Sequence, residues 1–142
     1  MATSNAATTY LENKILDFLF KNNSSSFATP GNSIYVGLAT AVSDAEAGSL
    51  TEATFGAYAR QQVTAANWTL TSSSADTQTI KNAANIEFPA STGTNNTITH
   101  AFIVDAASSG NILFVGALDA SKTIATGDVF RINTNNLTIE LK

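Results

Sequence analysis

Most of this chain is a series of short apolar runs, each closed by a cluster of Gly, Asn, Ser or Asp. Runs of this length with turn residues between them are typical of β-strands, and they do not alternate with helices as they would in a parallel sheet. The sequence therefore predicts a mainly β fold, an antiparallel β-sandwich or barrel-like domain. The predicted strands lie at 33–40, 57–70, 78–89, 97–106, 111–118, 128–133 and 137–142, and a long loop is predicted from Val42 to Gly56.

One segment near the N-terminus has a helical period instead. Apolar residues recur there at i, i+4, i+7 and i+8, which predicts a single amphipathic α-helix at residues 8–21. Thr9 with Glu12 three residues later is the pattern of a capping box, and Lys21 suits the negative end of the helix dipole. The apolar stripe consists of Leu11, Ile15, Phe18 and Leu19, widened by Leu16 and Phe20.

The length of 142 residues suits one domain. We expect a single domain over 1–142, built from an N-terminal arm at 1–7, the helix at 8–21, a polar linker at 22–32 and the β-sandwich at 33–142. The helix is expected to cap an open end or a sheet edge of the sandwich, or to dock on a neighbouring subunit.

Composition excludes several classes of function. Charged residues make up 13% of the chain against roughly 25% in ordinary soluble domains, the net charge is −4, and no basic cluster is present. We therefore expect no nucleic-acid partner. No apolar run approaches the ~20 residues of a membrane span, and the first residues lack the pattern of a signal peptide, so we expect synthesis in the cytoplasm and no membrane partner.

The polar stretches between strands are interpreted as turns. DAASSGN (105–111) and DASKTIATGD (119–128) lie between apolar runs, and neither has the acidic spacing of a calcium loop. The chain has no cysteine, its one histidine, His100, lies in a strand pattern without an adjacent acid, and no nucleophile elbow, phosphate loop or zinc motif occurs. We expect no catalytic residue, no cofactor and no metal site.

Six blocks of the sequence together resemble one family. They are YLENKILDFLF, IYVGLAT, GAYARQQV, NAANIEFP, TITHAFIVDAASSGNILFVGAL and GDVFRINTNNLTIELK, in this order. From Tyr10 to Leu141 the chain resembles a widespread group of small tailed-bacteriophage virion proteins, described as tail-fibre or structural proteins, some of which are expected to decorate or cement the head. It departs from them at Gly56-Ala57, where many relatives have two glycines, and at Asn95-Asn96, where many have Trp-Gly. The resemblance implies a structural component of the phage particle without enzymatic activity.

The resemblance leaves the place on the particle open. A net charge of −4 does not suit a surface that faces packaged DNA, so we expect the outer surface of the virion. Our main hypothesis is a capsid decoration or cement protein that bridges major capsid subunits and stabilises the shell. The alternative is a tail-fibre or tail-associated protein that contacts the host surface and binds a host glycan. A polysaccharide hydrolase is the weakest interpretation, because no pattern pairs the carboxylates that it would need.

A neutral surface rich in Ser, Thr and Asn favours association with identical neighbours, so we expect a homo-oligomer, a trimer or a dimer, alongside contacts with other virion proteins. The candidate interface residues are Leu11, Ile15, Phe18 and Leu19 of the helix, Asp44, Glu46 and Glu52 of the predicted loop, and the aromatic residues Tyr58 and Trp68. Each group also has a purely structural interpretation, in which the apolar and aromatic side chains fill the domain's own core and the acids lie in a solvated loop.

Overall fold

The computed structural model describes residues 5–21, 34–74 and 77–141, with the side chains of 72–74 excepted. The predicted linker at 22–32 and residues 1–4 of the predicted arm lie outside the described residues. One α-helix, α1 (Thr9–Phe20), is followed by antiparallel strands, which confirms the predicted mainly β fold with a helix near the N-terminus. The strands are β1 (Ala6–Ala7), β2 (Tyr35–Asp44), β3 (Ser49–Glu52), β4 (Gln61–Gln62), β5 (Trp68–Ser74), β6 (Thr77–Asn82), β7 (Ile86–Glu87), β8 (Asn96–Val104), β9 (Ile112–Ile124), β10 (Arg131–Ile132) and β11 (Thr138–Leu141).

The strands form one large curled sheet and two small ones. The large sheet has the order β1-β9-β8-β2-β3, with β4 also paired to β2. The small sheets are β10-β7 and β11-β6-β5. All of these pairs are antiparallel, as expected for strands joined by short turns.

Strand β8 lies at the centre of the core because both of its faces are covered. Ala101 packs with Phe88 and Phe130 on one face, and Phe102 packs with Val115 on the other. A strand buried on both sides has no need of polar alternation, which explains the continuous apolar run in its second half. The ring of Phe102 lies directly on Gly37 of the neighbouring strand β2, where a Cβ atom would overlap with Cζ.

The residue that caps the start of the helix is one position earlier than predicted. Its N-cap is Thr8, whose side chain accepts a hydrogen bond from the N–H of Leu11, so the predicted capping box of Thr9 and Glu12 is wrong. At the other end Lys21 is the C-cap rather than a residue of the last turn.

Two loop predictions between strands are corrected. The predicted loop from Val42 to Gly56 contains a β-hairpin, because β2 continues to Asp44 and pairs with β3. The predicted turn at 119–128 is mostly strand, because β9 continues to Ile124. The predicted hairpin loop at 105–111 is confirmed as the connection from β8 to β9.

The predicted strand at 57–70 is wrong over most of its length. Only Gln61 and Gln62 pair with β2, and a 3-10 turn at Ala65–Asn67 separates them from β5. The apparent alternation of Tyr58 and Arg60 has another cause, because both side chains turn inward to the network described below.

Candidate assembly surface

The start of α1 is fixed to the large sheet. Thr8 is 2% exposed, and its N–H donates to the carbonyl of Leu113 at 2.9 Å. Its hydroxyl donates to the carbonyl of Ile112 at 2.6 Å and accepts from the N–H of Leu11 at 3.3 Å. Leu11 is buried against Leu113 and Ile103. One threonine therefore caps the helix and joins it to β9, so the helix leaves the domain in a defined direction.

Beyond Leu11 the helix becomes more exposed, and it carries apolar side chains on more than one side. At 100° per residue, Leu16 and Phe20 lie about 140° and 180° around the helix from Leu11, whereas Leu19 lies about 80° from it and belongs to the same stripe. The exposed fractions increase along the helix, from 6% at Leu11 to 37% at Ile15, 54% at Leu16, 48% at Phe18, 64% at Leu19 and 80% at Phe20. The domain itself covers one face of this helix and leaves a second apolar face in solvent.

The charges of the helix are balanced and satisfied locally. Lys21 Nζ lies 3.3 Å from Asp17 Oδ1, and Lys14 Nζ lies 5.6 Å from the ring centroid of Tyr10. The Lys21–Asp17 pair is solvent-exposed and contributes at most about 0.5 kcal/mol. With Glu12 the helix carries two acidic and two basic side chains. A partner can therefore approach the helix without desolvating a strong net charge.

A second, partly apolar surface is formed by β9 and the segment near the C-terminus. An open groove of about 1230 Å³ separates β9 from the segment that contains β10 and β11. Its apolar lining includes Phe114, Leu118, Val129, Leu137, Ile139 and Leu141, and its charged lining residues are Asp119, Lys122, Arg131 and Glu140. Among the described residues, every exposed large hydrophobic side chain except Leu70 lies on α1 or in this groove, with Val129 45% and Leu141 60% exposed.

The predicted acids Asp44 and Glu46 lie in the turn beside the helix. Asp44 Oδ1 accepts the N–H groups of Glu46 and Ala47, each at 3.1 Å, which closes an Asx turn between β2 and β3. The carbonyl of Glu46 accepts the N–H of Thr9 at 2.9 Å. Both carboxylates are exposed beside the start of the helix, and their contact with a partner stays a prediction.

Glu52 belongs instead to an internal network. Arg60 donates from Nε to Glu52 Oε1 and from Nη2 to Oε2, both at 2.8 Å, which is a bidentate ion pair. The Arg60 Nη1 group donates to the carbonyls of Ala106 at 3.0 Å and Ser109 at 2.6 Å. Its guanidinium carbon lies 5.3 Å from the ring centroid of Phe102, and its side chain is only 9% exposed. Arg60 therefore ties β3 to the loop between β8 and β9.

Tyr58 is the third member of this network and not an exposed aromatic residue as predicted. Its hydroxyl donates to Glu52 Oε1 at 2.8 Å and accepts from the N–H of Leu38 at 3.0 Å. Its ring lies between Phe55, at a centroid distance of 5.2 Å, and Phe88, at 6.1 Å. Both ends of the side chain are used inside the domain, so its ring offers no free face to a sugar.

The network holds its members in single protonation states near neutral pH. Burial alone would raise the pKa of Glu52, but the hydrogen bonds from Arg60 and Tyr58 outweigh burial and hold this pKa below its usual value. The bond to Glu52 raises the pKa of Arg60. Burial, partly offset by the bond from the Leu38 N–H, raises the pKa of Tyr58 well above its usual value. None of the three is poised to exchange a proton near pH 7.

Trp68 also packs inward. Its Nε1 donates to the carbonyl of Val63 at 3.3 Å. Its half-buried ring packs against two clusters of buried apolar side chains, one that contains Val63 and one that contains Leu11. Trp68 and Tyr58 are both half-buried and hydrogen-bonded within the domain, and their contact with a partner stays a prediction.

Comparison with known protein families finds a match over nearly the whole chain. The model of the podophage GP4 fiber I protein gp80 family matches residues 6–140. This chain belongs to that family. The predicted resemblance to small phage virion structural proteins is thereby confirmed, and the description of this fiber I family favours the tail-fibre alternative over capsid decoration. No curated protein matches the chain.

The described residues of this fiber I family member contain no group of three or more His, Cys, Asp or Glu side chains placed to hold a metal ion. His100 lies on β8 with Nδ1 2.8 Å from Thr99 Oγ1, and burial lowers its pKa. Within the same ranges, no helix is long and apolar enough to cross a bilayer.

Several residues of the candidate surface were not predicted. The groove residues Val129 and Leu141 lie in runs that were assigned to core strands, and nothing in their spacing separates them from buried neighbours. Arg60 was noted only as part of a strand pattern. The one available signal was the width of the apolar stripe on α1, where Leu16 and Phe20 extend it beyond a single face.

Proposed function

We propose that this protein is a structural subunit of a podophage fibre on the outside of the virion, and not a decoration protein of the capsid. The observation that carries the proposal is the match of a fiber I protein family over residues 6–140. This match extends over α1, the large curled sheet and both small sheets, so the proposal concerns the whole described domain.

A structural role also agrees with how the polar side chains are used. Asp105 accepts the N–H of Asn111 at 2.6 Å and its side-chain amide at 2.9 Å, and Asp128 Oδ2 accepts the N–H of Ala125 at 2.9 Å. Glu52 is committed to Arg60. Carboxylates that close turns and join strands support a structural role for this domain.

The apolar face of α1 supports association with other virion proteins. A fibre subunit has to be held by its neighbours, and an exposed apolar face rimmed by balanced charges is the surface on this domain best suited to it. The previously predicted glycan contact through Tyr58 and Trp68 receives no support from their inward positions.

Copy number and location on purified particles test the proposal. The protein would be quantified against the major capsid protein by mass spectrometry, and gold-labelled antibodies would locate it on intact virions. We expect a small number of copies set by the symmetry of the tail, and label confined to the tail end of the particle. Copies on the order of hundreds, in a simple ratio to the capsid protein and with label over the head, would restore the decoration hypothesis.

A matched control keeps the location unambiguous. Antibody against the major capsid protein should label the head of the same particles, and particles stripped of tails should lose this protein while retaining the capsid protein. Retention on tailless heads would contradict the proposal.

A further inference from the structure

Two exposed apolar surfaces occur on the same chain, one convex and one concave. The convex surface is the projecting half of α1, from Ile15 to Phe20, and the concave surface is the groove between β9 and the β10–β11 segment. We propose that the projecting half of α1 docks into this groove on a second copy of the same chain, so that copies join head to tail. The inference rests on the proposed fibre function only for its biological setting.

Size is the first argument for this occupant. Six helical residues occupy a cylinder about 9 Å long and 10–12 Å wide, or roughly 700–1,000 Å³. The groove holds about 1230 Å³. These six helical residues would therefore fill most of the groove.

Chemical character is the second argument. The helix presents Leu16, Leu19 and Phe20 to solvent, and the groove presents Val129 and Leu141. Water contacts all five side chains in the isolated domain, and burying one surface against the other removes both from water at once. The groove edge carries charges of both signs, as the helix does, so no net repulsion opposes the contact.

Area is the third argument. With roughly 200 Å² for each large apolar residue, the exposed fractions from Ile15 to Phe20 leave about 550 Å² uncovered on each copy. The exposed lining of the groove is smaller, so the contact would bury about 900 Å² in total, in the range of weak and transient interfaces. We therefore expect association in the micromolar range, with each helix used by one neighbour and each groove by the other.

The head-to-tail arrangement follows because the two surfaces are different parts of the chain. A contact between unlike surfaces is heterologous, and it gives a closed ring when the rotation closes. The fixed direction of α1, set by Thr8, gives every copy the same geometry.

Three leucines offer matched substitutions for the test. Leu19 is 64% exposed on the helix, Leu141 is 60% exposed in the groove, and Leu70 is 71% exposed but outside both surfaces. Leu19→Lys, Leu141→Lys and Leu70→Lys place the same charge at similar exposure, and a lysine near the end of α1 suits the helix dipole. Circular dichroism and thermal melting would establish that each variant is folded.

Sedimentation velocity and multi-angle light scattering on the full chain would then give the oligomeric state at up to about 100 µM. We expect the wild type and Leu70→Lys to associate equally, and Leu19→Lys and Leu141→Lys each to weaken association at least tenfold. A mixture of the last two variants should form a 1:1 dimer that grows no further, because it contains one intact helix and one intact groove.

The alternatives give different results. A helix that pairs with the same helix of a second copy would be disrupted by Leu19→Lys but not by Leu141→Lys, and this would overturn the proposal. A wild type that is monomeric at about 100 µM would also overturn it. A monomeric protein located on the tail would leave the fibre proposal standing, whereas head-to-tail copies located on the head would overturn the fibre proposal alone.

Discussion

The side chain of Asn82 accepts the backbone N–H of Leu137 on Oδ1 at 2.8 Å, while the N–H of Asn82 donates back to the carbonyl of Leu137 at 3.3 Å. Asn82 is fully buried, and its Nδ2 donates to the carbonyls of Ala84 at 2.8 Å and Asn133 at 2.9 Å. One amide therefore joins the end of β6 to the segment that leads into β11, which forms one wall of the groove.

Replacing Asn82 by Ala should lower the free energy of unfolding by about 2–4 kcal/mol, because a buried N–H and two carbonyls lose their partner. Urea titration followed by tryptophan fluorescence would measure it. Asn133→Ala is the matched control, since it keeps the carbonyl that Asn82 uses and removes an exposed side chain, and it should change stability by less than about 0.5 kcal/mol. Equal effects of the two substitutions would contradict the role of Asn82.

Replacing Gly37 by Ala should destabilise the protein by about 1–3 kcal/mol, because the new methyl group would overlap with the ring of Phe102. Gly116→Ala is the control, since the nearest atom to its new Cβ would be Asn5 Oδ1 at 4.0 Å. Differential scanning calorimetry should show a lower melting temperature for the first variant and an unchanged or slightly higher one for the second. A Gly37→Ala protein as stable as wild type would mean that the ring of Phe102 can move aside.

The Glu52–Arg60 pair should make stability depend on acid pH. The pKa of Glu52 is below its usual value in the folded protein, so the stability linked to its charge is present above the unfolded pKa and is lost as pH falls through the folded one. The difference in urea midpoint between wild type and Glu52→Gln should therefore shrink as pH is lowered from 7 to about 3.

The exposed pair of Glu87 and Arg131 is the control for this titration, with side chains 51% and 50% exposed. Glu87→Gln should change stability by less than about 0.5 kcal/mol at pH 7. A wild-type curve that runs parallel to that of Glu52→Gln over the whole pH range would exclude a linked carboxylate at Glu52.

Two leucines of α1 should respond very differently to the same substitution. Leu11 is 6% exposed and Leu16 is 54% exposed. Leu11→Ala should lower the free energy of unfolding by about 2–5 kcal/mol, and Leu16→Ala by less than about 1 kcal/mol. Chemical denaturation of the dilute protein would measure both, and a Leu16→Ala change as large as that at Leu11 would place the wrong face of the helix against the sheet.

The fold class was predictable because the apolar residues follow a helical period near the N-terminus and a strand pattern elsewhere. The helix was located within one residue at each end, since its apolar spacing persists over three turns. Its cap was missed by one position because Thr8 and Thr9 are both good N-caps, and only the bonds of Thr8 to β9 distinguish them.

Strand limits were less predictable where strands leave the core. β9 was ended too early because Asp119, Ser121 and Lys122 look like turn residues, but an exposed strand carries polar side chains without losing its pairing. Tyr58, Arg60, Gln62 and Thr64 alternate with less polar neighbours, which predicts a strand. The side chains of Tyr58 and Arg60 instead share one target, Glu52, on another strand.

The candidate surface itself depends on what covers each apolar side chain. An apolar stripe such as that on α1 has the same sequence pattern whether its own domain or a neighbouring chain buries it. Only the exposed fractions of the side chains in the structure distinguish Leu11 from Leu19. Leu141 ends a strictly alternating strand, and its exposure follows from its place at the open side of the groove.

The joint at Thr8 has a mechanical consequence. A pull on α1 reaches the domain through the two residue pairs of β1 with β9, the bonds of Thr8 and Thr9, and the packing of Leu11. In contrast, β8 and β9 share a ladder that extends from Val104 to Asn96. Under tension the short joint should therefore yield first, and the sheet should remain intact behind it. An assembly of this protein under tension would lengthen as helices detach from their own sheets one at a time. Each β-domain would stay folded, and its helix could bind to the sheet again once the tension is removed.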